Sequence, residues 1–89
     1  MPEITLTLRH KVGLHARPAA LFVQTAKQFR SDIKVARGER EANAKSILNV
    51  LTLGANQGAV LTICADGGDA EQALAALEVL IEGNFGEEE

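Results

Sequence analysis

The run Val60-Leu61-Thr62-Ile63-Cys64-Ala65 is followed by Asp66-Gly67-Gly68-Asp69 and then by Ala70, Ala73, Leu74, Leu77 and Ile81. The nearly continuous apolar run suits a strand in the middle of a sheet. Cys64, the only cysteine of the chain, reads within that run as a buried and inert thiol. The Asp-Gly-Gly-Asp step is a turn. Asp69, with Gln72 three residues on, matches a capping box, in which the two side chains satisfy amides at a helix start. The residues that follow recur at helical spacing and predict an amphipathic helix that ends near Gly83.

Working outward, two periods alternate along the rest of the chain. Ile4, Leu6 and Leu8 alternate with Glu3, Thr5 and Thr7, the pattern of a half-buried strand. Residues 9–16 form a loop, and Pro18 sits where the first turn of a helix has no hydrogen bond to lose. Ala19, Phe22, Val23, Ala26 and Phe29 predict a helix over 17–29. Ile33 and Val35 alternate again over 32–37, and Gly38-Glu39 turns the chain into a weaker strand at 40–43. Ser46, a good N-cap, opens a short helix over 46–53 that Gly54 closes. The order is β-α-β-β-α-β-α. It predicts an α+β fold, with a four-stranded antiparallel sheet carrying three helices on one face. Residues 1–89 read as a single domain, with 84–89 a flexible acidic tail.

Composition excludes several functions. The net charge of −3 argues against nucleic acid as the main partner. No apolar run approaches the roughly 18 residues that mark a membrane span, and the start Met-Pro-Glu-Ile-Thr has no leader pattern. The chain therefore reads as cytoplasmic, with no membrane insertion. Isolated His10 and His15 and one cysteine do not make a metal site, and no glycine-rich nucleotide cradle occurs. Residues 1–45 carry a net +5 and residues 46–89 a net −8. A molecule polarised in this way can be steered toward a charged partner face.

The chemistry concentrates in Gly13-Leu14-His15-Ala16-Arg17-Pro18-Ala19. His15 stands directly before a helix start, where free amides and the positive end of the dipole favour an anion. Arg17 can donate two hydrogen bonds to phosphoryl oxygens, and neutral imidazole is a competent nucleophile near pH 7. Gly13 permits an unusual backbone angle just ahead of the site.

This heptapeptide resembles the active-site signature of HPr, the histidine-containing phosphocarrier family of the bacterial sugar phosphotransferase system. Lys45-Ser46-Ile47-Leu48-Asn49-Val50-Leu51-Thr52-Leu53-Gly54 is similar to the regulatory serine segment of the same family. The resemblance covers residues 2–83. It implies an open-faced β-sandwich with His15 phosphorylated on Nδ1 by enzyme I, which draws on phosphoenolpyruvate. It also implies that Arg17 balances the phosphoryl charge, with further donors at the helix start formed by Ala16, Arg17 and Pro18. The group would then pass to an enzyme IIA. Ser46 would be the target of HPr kinase/phosphorylase, and its phosphorylated form would engage a transcription regulator. The chain would be a carrier without cofactor and not an independent enzyme. Asn49 stands where many relatives have Gly, and the tail from Gly83 has no counterpart in the family pattern. The nitrogen-related branch shares the histidine motif, so the acceptor is a sugar component or its counterpart there.

Ile47, Leu48 and Leu51 cannot all face the core of so short a helix. Leu48 and Leu51 share one face and Ile47 and Val50 another. One set is expected to form an exposed patch near His15, joined by Ala20 and rimmed by Arg17, Lys27 and Lys45, where partners would dock in turn on a monomer. A second reading makes the chain chiefly a regulatory binding module that acts through Ser46.

Overall fold

The computed structural model describes residues 2–9, 11 and 13–86. The elements follow the expected order: β1 (Glu3–Thr7), α1 (Ala16–Ala26), β2 (Asp32–Arg37), β3 (Arg40–Asn43), α2 (Ile47–Leu51), β4 (Val60–Asp66) and α3 (Ala70–Glu82). The strands form one antiparallel sheet in the order β1-β4-β2-β3. β4 is thus central, as its apolar run implies.

Register sorts the side chains. Leu6 faces Leu61 and Ile4 faces Ile63 across β1 and β4, and Ile63 in turn faces Val35, which faces Ala42. These rows meet the helices and form the core with Phe22, Val23, Leu74, Leu77 and Ile81. The alternate rows, Glu3-Cys64-Lys34-Asn43 and Thr5-Thr62-Ala36-Glu41, lie on the open face. Thr5 and Thr62 share a hydroxyl contact of 3.4 Å there.

That geometry corrects the expectation for Cys64. The thiol is half-exposed on the open face, because a central strand of an antiparallel sheet is covered on one side only. Partial burial, reinforced by the Glu3 carboxylate 3.9 Å away, pushes its pKa up. The resulting low thiolate fraction still makes it unreactive.

Asp69 also departs from expectation, since its carboxylate makes no capping hydrogen bond to α3. It accepts instead from the Ser31 hydroxyl, the Arg30 amide at 2.9 Å and the Ser31 amide at 3.0 Å. The Ser31 hydroxyl, then the Arg30 amide, hold its pKa below the ordinary value. Two donated amides and a hydroxyl outcompete the single bond of a capping box, and they fasten the α1–β2 turn to the start of α3.

α1 is shorter than its apolar pattern. After Ala26 the chain tightens into bonds from Gln28 to Thr25 at 3.1 Å and from Phe29 to Ala26 at 3.3 Å. Such three-residue closures end helices, and they keep Phe29 packed against the core. α2 winds down likewise through Thr52, Leu53 and Gly54.

The expected tail begins too early at 84. Asn84–Gly86 form a turn in which Asn84 and Phe85 adopt φ of 52° and 57°. Phe85 is only 3% exposed and belongs to the core. A chain with three Phe and no Trp or Tyr has few large side chains with which to fill the space between α1 and α3. Burying this one outweighs two left-handed residues. Residues 87–89 lie outside the described residues, as does His10.

Candidate functional site

His15 is the N-cap of α1, in extended conformation at φ −124° and ψ 157°. The chain enters it through Gly13 at φ 73° and leaves it through Ala16 at φ 44°. Ala16 is therefore a non-glycine residue in the left-handed region beside the His15 ring, where strain of about 1 kcal/mol is stored. Leu14 is buried beneath the loop, and its amide donates to the Ala55 carbonyl at 2.9 Å. The histidine loop is thereby docked on the 54–58 loop, 41 residues away in sequence at the His15–Asn56 contact.

That contact orients the ring. Nε2 of His15 lies 2.9 Å from Oδ1 of Asn56. An amide oxygen only accepts, so Nε2 donates. In a neutral imidazole the lone pair then resides on Nδ1. Sequence reasoning missed Asn56 entirely, because nothing in the 54–58 stretch marks it out locally.

The amides of Ala16 and Arg17 precede the first intrahelical bond, which Ala19 makes to the His15 carbonyl at 3.5 Å. They belong to the donors that a helix start leaves open to an anion. Pro18 is buried and has no N–H, so its part is to fix φ at the start of α1. Arg17 is exposed, and no hydrogen bond or ion pair among the described residues holds its guanidinium.

α2 packs beside α1. Val50 and Leu53 turn into the core, while Leu48 is 73% exposed, Ile47 39% and Leu51 37%. Of the two alternatives, the Leu48–Leu51 face is the open one. Ile47 joins it and parts from Val50, because Val50 pairs inward with Leu53. Ala20 is half-buried and Lys27 exposed. Lys45 contributes less to the rim than expected, since its ammonium donates to the Phe29 carbonyl at 2.7 Å.

Ser46 caps α2 as read from sequence, accepting from the Asn49 amide at 3.4 Å. The Asn49 side chain adds a second donor, Nδ2, at 3.1 Å. Asn49 thus ties itself to the Ser46 hydroxyl through both its amide and its side chain.

A recess of about 370 Å³ lies among Ile33, Lys34, Ala42, Asn43, Lys45 and Asn49. It does not include His15, which is half-exposed at the start of α1. Among the described residues no cluster of His, Cys, Asp and Glu could hold a metal ion. No helix there is long and apolar enough to cross a membrane.

Comparison with known proteins places this geometry. Residues 2–83 match the model of the family PTS-HPr, described as the PTS HPr component phosphorylation site. The phosphocarrier protein HPr of Xylella fastidiosa strain Temecula1 is 44% identical over 88 residues, covering 99% of each chain. The crystal structure of HPr-C-His from Thermoanaerobacter tengcongensis superposes with a TM-score of 0.98 at 52% identity over the whole of both chains. A dimer of HPr from the same organism, also 52% identical, gives a TM-score of 0.79 over 98% of this chain and all of that one.

Proposed function

The chain belongs to the HPr family of the phosphotransferase system, and from that premise we propose that His15 accepts a phosphoryl group from enzyme I and passes it to an enzyme IIA. As a member of that family it is a phosphocarrier. The observation that carries the assignment to His15 is the ring's placement at the start of α1, with Nε2 engaged by Asn56 and Nδ1 left as nucleophile. The attacking nitrogen forms the new P–N bond while the donor's bond to phosphorus breaks. Arg17 and the amides of Ala16 and Arg17 balance the charge that arrives. The chain acts as a covalent intermediate in the cytoplasm. In this reading it works as a single copy that docks its partners in turn.

Incubation with phosphoenolpyruvate and enzyme I is expected to add about 80 Da, the mass of one phosphoryl group. Acid removes this addition and His15→Ala prevents it, as read by intact mass. An acid-labile addition that survives in His15→Ala would sink the assignment.

Ser46 is the second site in this reading, for HPr kinase/phosphorylase, and its phosphorylated form would engage a transcription regulator. Its support is position: half-buried Ser46 is the N-cap of α2, the helix that carries Ile47, Leu48 and Leu51. A phosphate there sets about two negative charges beside an apolar docking surface. The same mass assay with that kinase and ATP is expected to show an acid-stable addition that Ser46→Ala removes. An unmodified wild-type chain would reject this site.

Partners dock on Leu48, Ile47 and Leu51, with Ala20 and Lys27 from α1. Leu48→Glu is expected to weaken enzyme I binding at least about ten-fold, or ~1.4 kcal/mol, without loss of stability, since the side chain is 73% exposed. Titration calorimetry checks it, and an unchanged Kd would remove Leu48 from the surface.

A further inference from the structure

We infer that Asn56 is a positioning residue for phosphoryl transfer, holding His15 in the tautomer whose nucleophile is Nδ1. The inference rests on the carrier reading of His15 and names a residue that neither the histidine motif nor the serine segment contains.

The case begins with the chemistry of the contact. Oδ1 of Asn56, 2.9 Å from Nε2, can accept and cannot donate. The proton is therefore drawn to Nε2, and the attacking lone pair stays on Nδ1. A second group that fixes the ring nitrogen opposite the reacting one is a recurrent way to set a histidine's tautomer and orientation.

Asn56 can do this because its own position is determined. Leu8 and the 58–59 segment exchange bonds of 2.8 Å, from the Leu8 amide to the Ala59 carbonyl and from the Gly58 amide to the Leu8 carbonyl. The Ala59 amide donates to the Asn56 carbonyl at 3.0 Å. Ala55 is fully buried and receives the Leu14 amide. The two loops therefore carry His15 and Asn56 as one braced unit, and the side-chain bond closes it.

The transfer step then needs no proton movement. The Nδ1 lone pair bonds to phosphorus, and the donor departs with the electron pair of its broken bond. The Nε2 proton stays where it was. The ring becomes cationic as the bond forms, and the Nε2–H bond to Asn56 strengthens with that charge. The stabilisation thus grows along the reaction, which is the condition for it to speed transfer. The opposite amide orientation, with Nδ2 donating to Nε2, would hold the proton on Nδ1 and block attack from that atom.

The test reads the ring directly. Nitrogen NMR of His15 in the unphosphorylated chain is expected to show Nε2 protonated and Nδ1 bare in the neutral ring. Asn56→Ala should mix the tautomers, and Asn56→Asp, which still accepts, should restore the wild-type pattern. Asn56 is exposed, so both variants are expected to melt with the wild type. The rate of phosphoryl uptake by Asn56→Ala should fall about five-fold, the net worth of one hydrogen bond.

A proton on Nδ1 in the wild type, or tautomer signals that ignore Asn56→Ala, would overturn the inference. So would a chain that takes up phosphoryl groups from enzyme I at an unchanged rate in Asn56→Ala. An Asn56-dependent tautomer in a chain that accepts no phosphoryl group would instead overturn the carrier reading, and with it the transfer role of Asn56.

Discussion

Gly13→Ala is expected to destabilise the fold by about 3 kcal/mol and to pull His15 away from Asn56. Gly13 has φ 73°, and a Cβ built there would lie 2.3 Å from the Ala55 carbonyl oxygen and 2.7 Å from Cα of Asn56. Both obstacles are backbone atoms, so no rotamer change relieves them. Left-handed alanine costs about 1 kcal/mol, and forced displacement of a packed segment about 1–3 kcal/mol more. The displacement must also stretch the bond from the Leu14 amide to the Ala55 carbonyl, now 2.9 Å. Gly38 provides an internal control. It is left-handed too, at φ 61°, but a Cβ there meets nothing within 4 Å. Gly38→Ala should therefore lose only the conformational part, about 1 kcal/mol. Urea unfolding of both variants separates the two contributions. Equal midpoints for Gly13→Ala and Gly38→Ala would show that the loops do not press on one another. Phosphoryl uptake should fall in Gly13→Ala and stay at the wild-type rate in Gly38→Ala.

The second large effect is expected at the other end of the chain. Phe85→Ala removes a side chain that is 3% exposed and packed in the core. Core Phe→Ala changes lose about 3–5 kcal/mol. The lower part of that range applies here, because the side chain sits on a terminal turn that can collapse inward. Even about 3 kcal/mol is a large share of the 5–15 kcal/mol that stabilises a typical domain. The native turn already carries unfavourable terms, in its two left-handed residues and in the buried Asn84 Oδ1, which has no hydrogen-bond partner among the described residues. Those terms persist only because the aromatic ring is worth more in place. A urea midpoint for Phe85→Ala equal to that of the wild type would mean that residues 84–86 add nothing to the core. Phosphoryl uptake measured well below the midpoint should be unaffected, since none of the hydrogen bonds that hold His15 and the 54–58 loop involves the turn.

Both effects follow from contacts that join distant parts of the chain, and this marks the limit of what local pattern reveals. Period-two and helical spacing located β1, α1, β2 and α3, the unbroken apolar run located β4, and turn and capping residues located β3 and α2, because each of these signals is local. The central place of β4 was legible in its unbroken apolar run. The histidine motif was legible because a nucleophile, a guanidinium and a helix start are neighbours in sequence. Ser46 was legible for the same reason: an N-cap acts on amides within its own first turn.

The failures have a common physical cause. Cys64 sits on the open face because the sheet has helices on one side only, and an apolar run does not say which of its faces is covered. Asp69 matched a local capping pattern, yet the α1–β2 turn offers it two amides and a hydroxyl. Lys45 was placed on the docking rim, but the carbonyl of Phe29 lies within its reach. Phe85 reads by its polar neighbours as part of an acidic tail, whereas its burial depends on a gap that exists only once α1 and α3 are packed.

From its sequence alone, this protein determined its element order, its class and the placement of a histidine at a helix start, since each depends on residues within one or two turns. Tertiary structure alone decided which leucines face outward, where the chain's last aromatic goes and which residue orients His15. Asn56 reaches the ring across 41 residues of chain, and only the docking of two loops brings its amide oxygen within hydrogen-bond distance of Nε2.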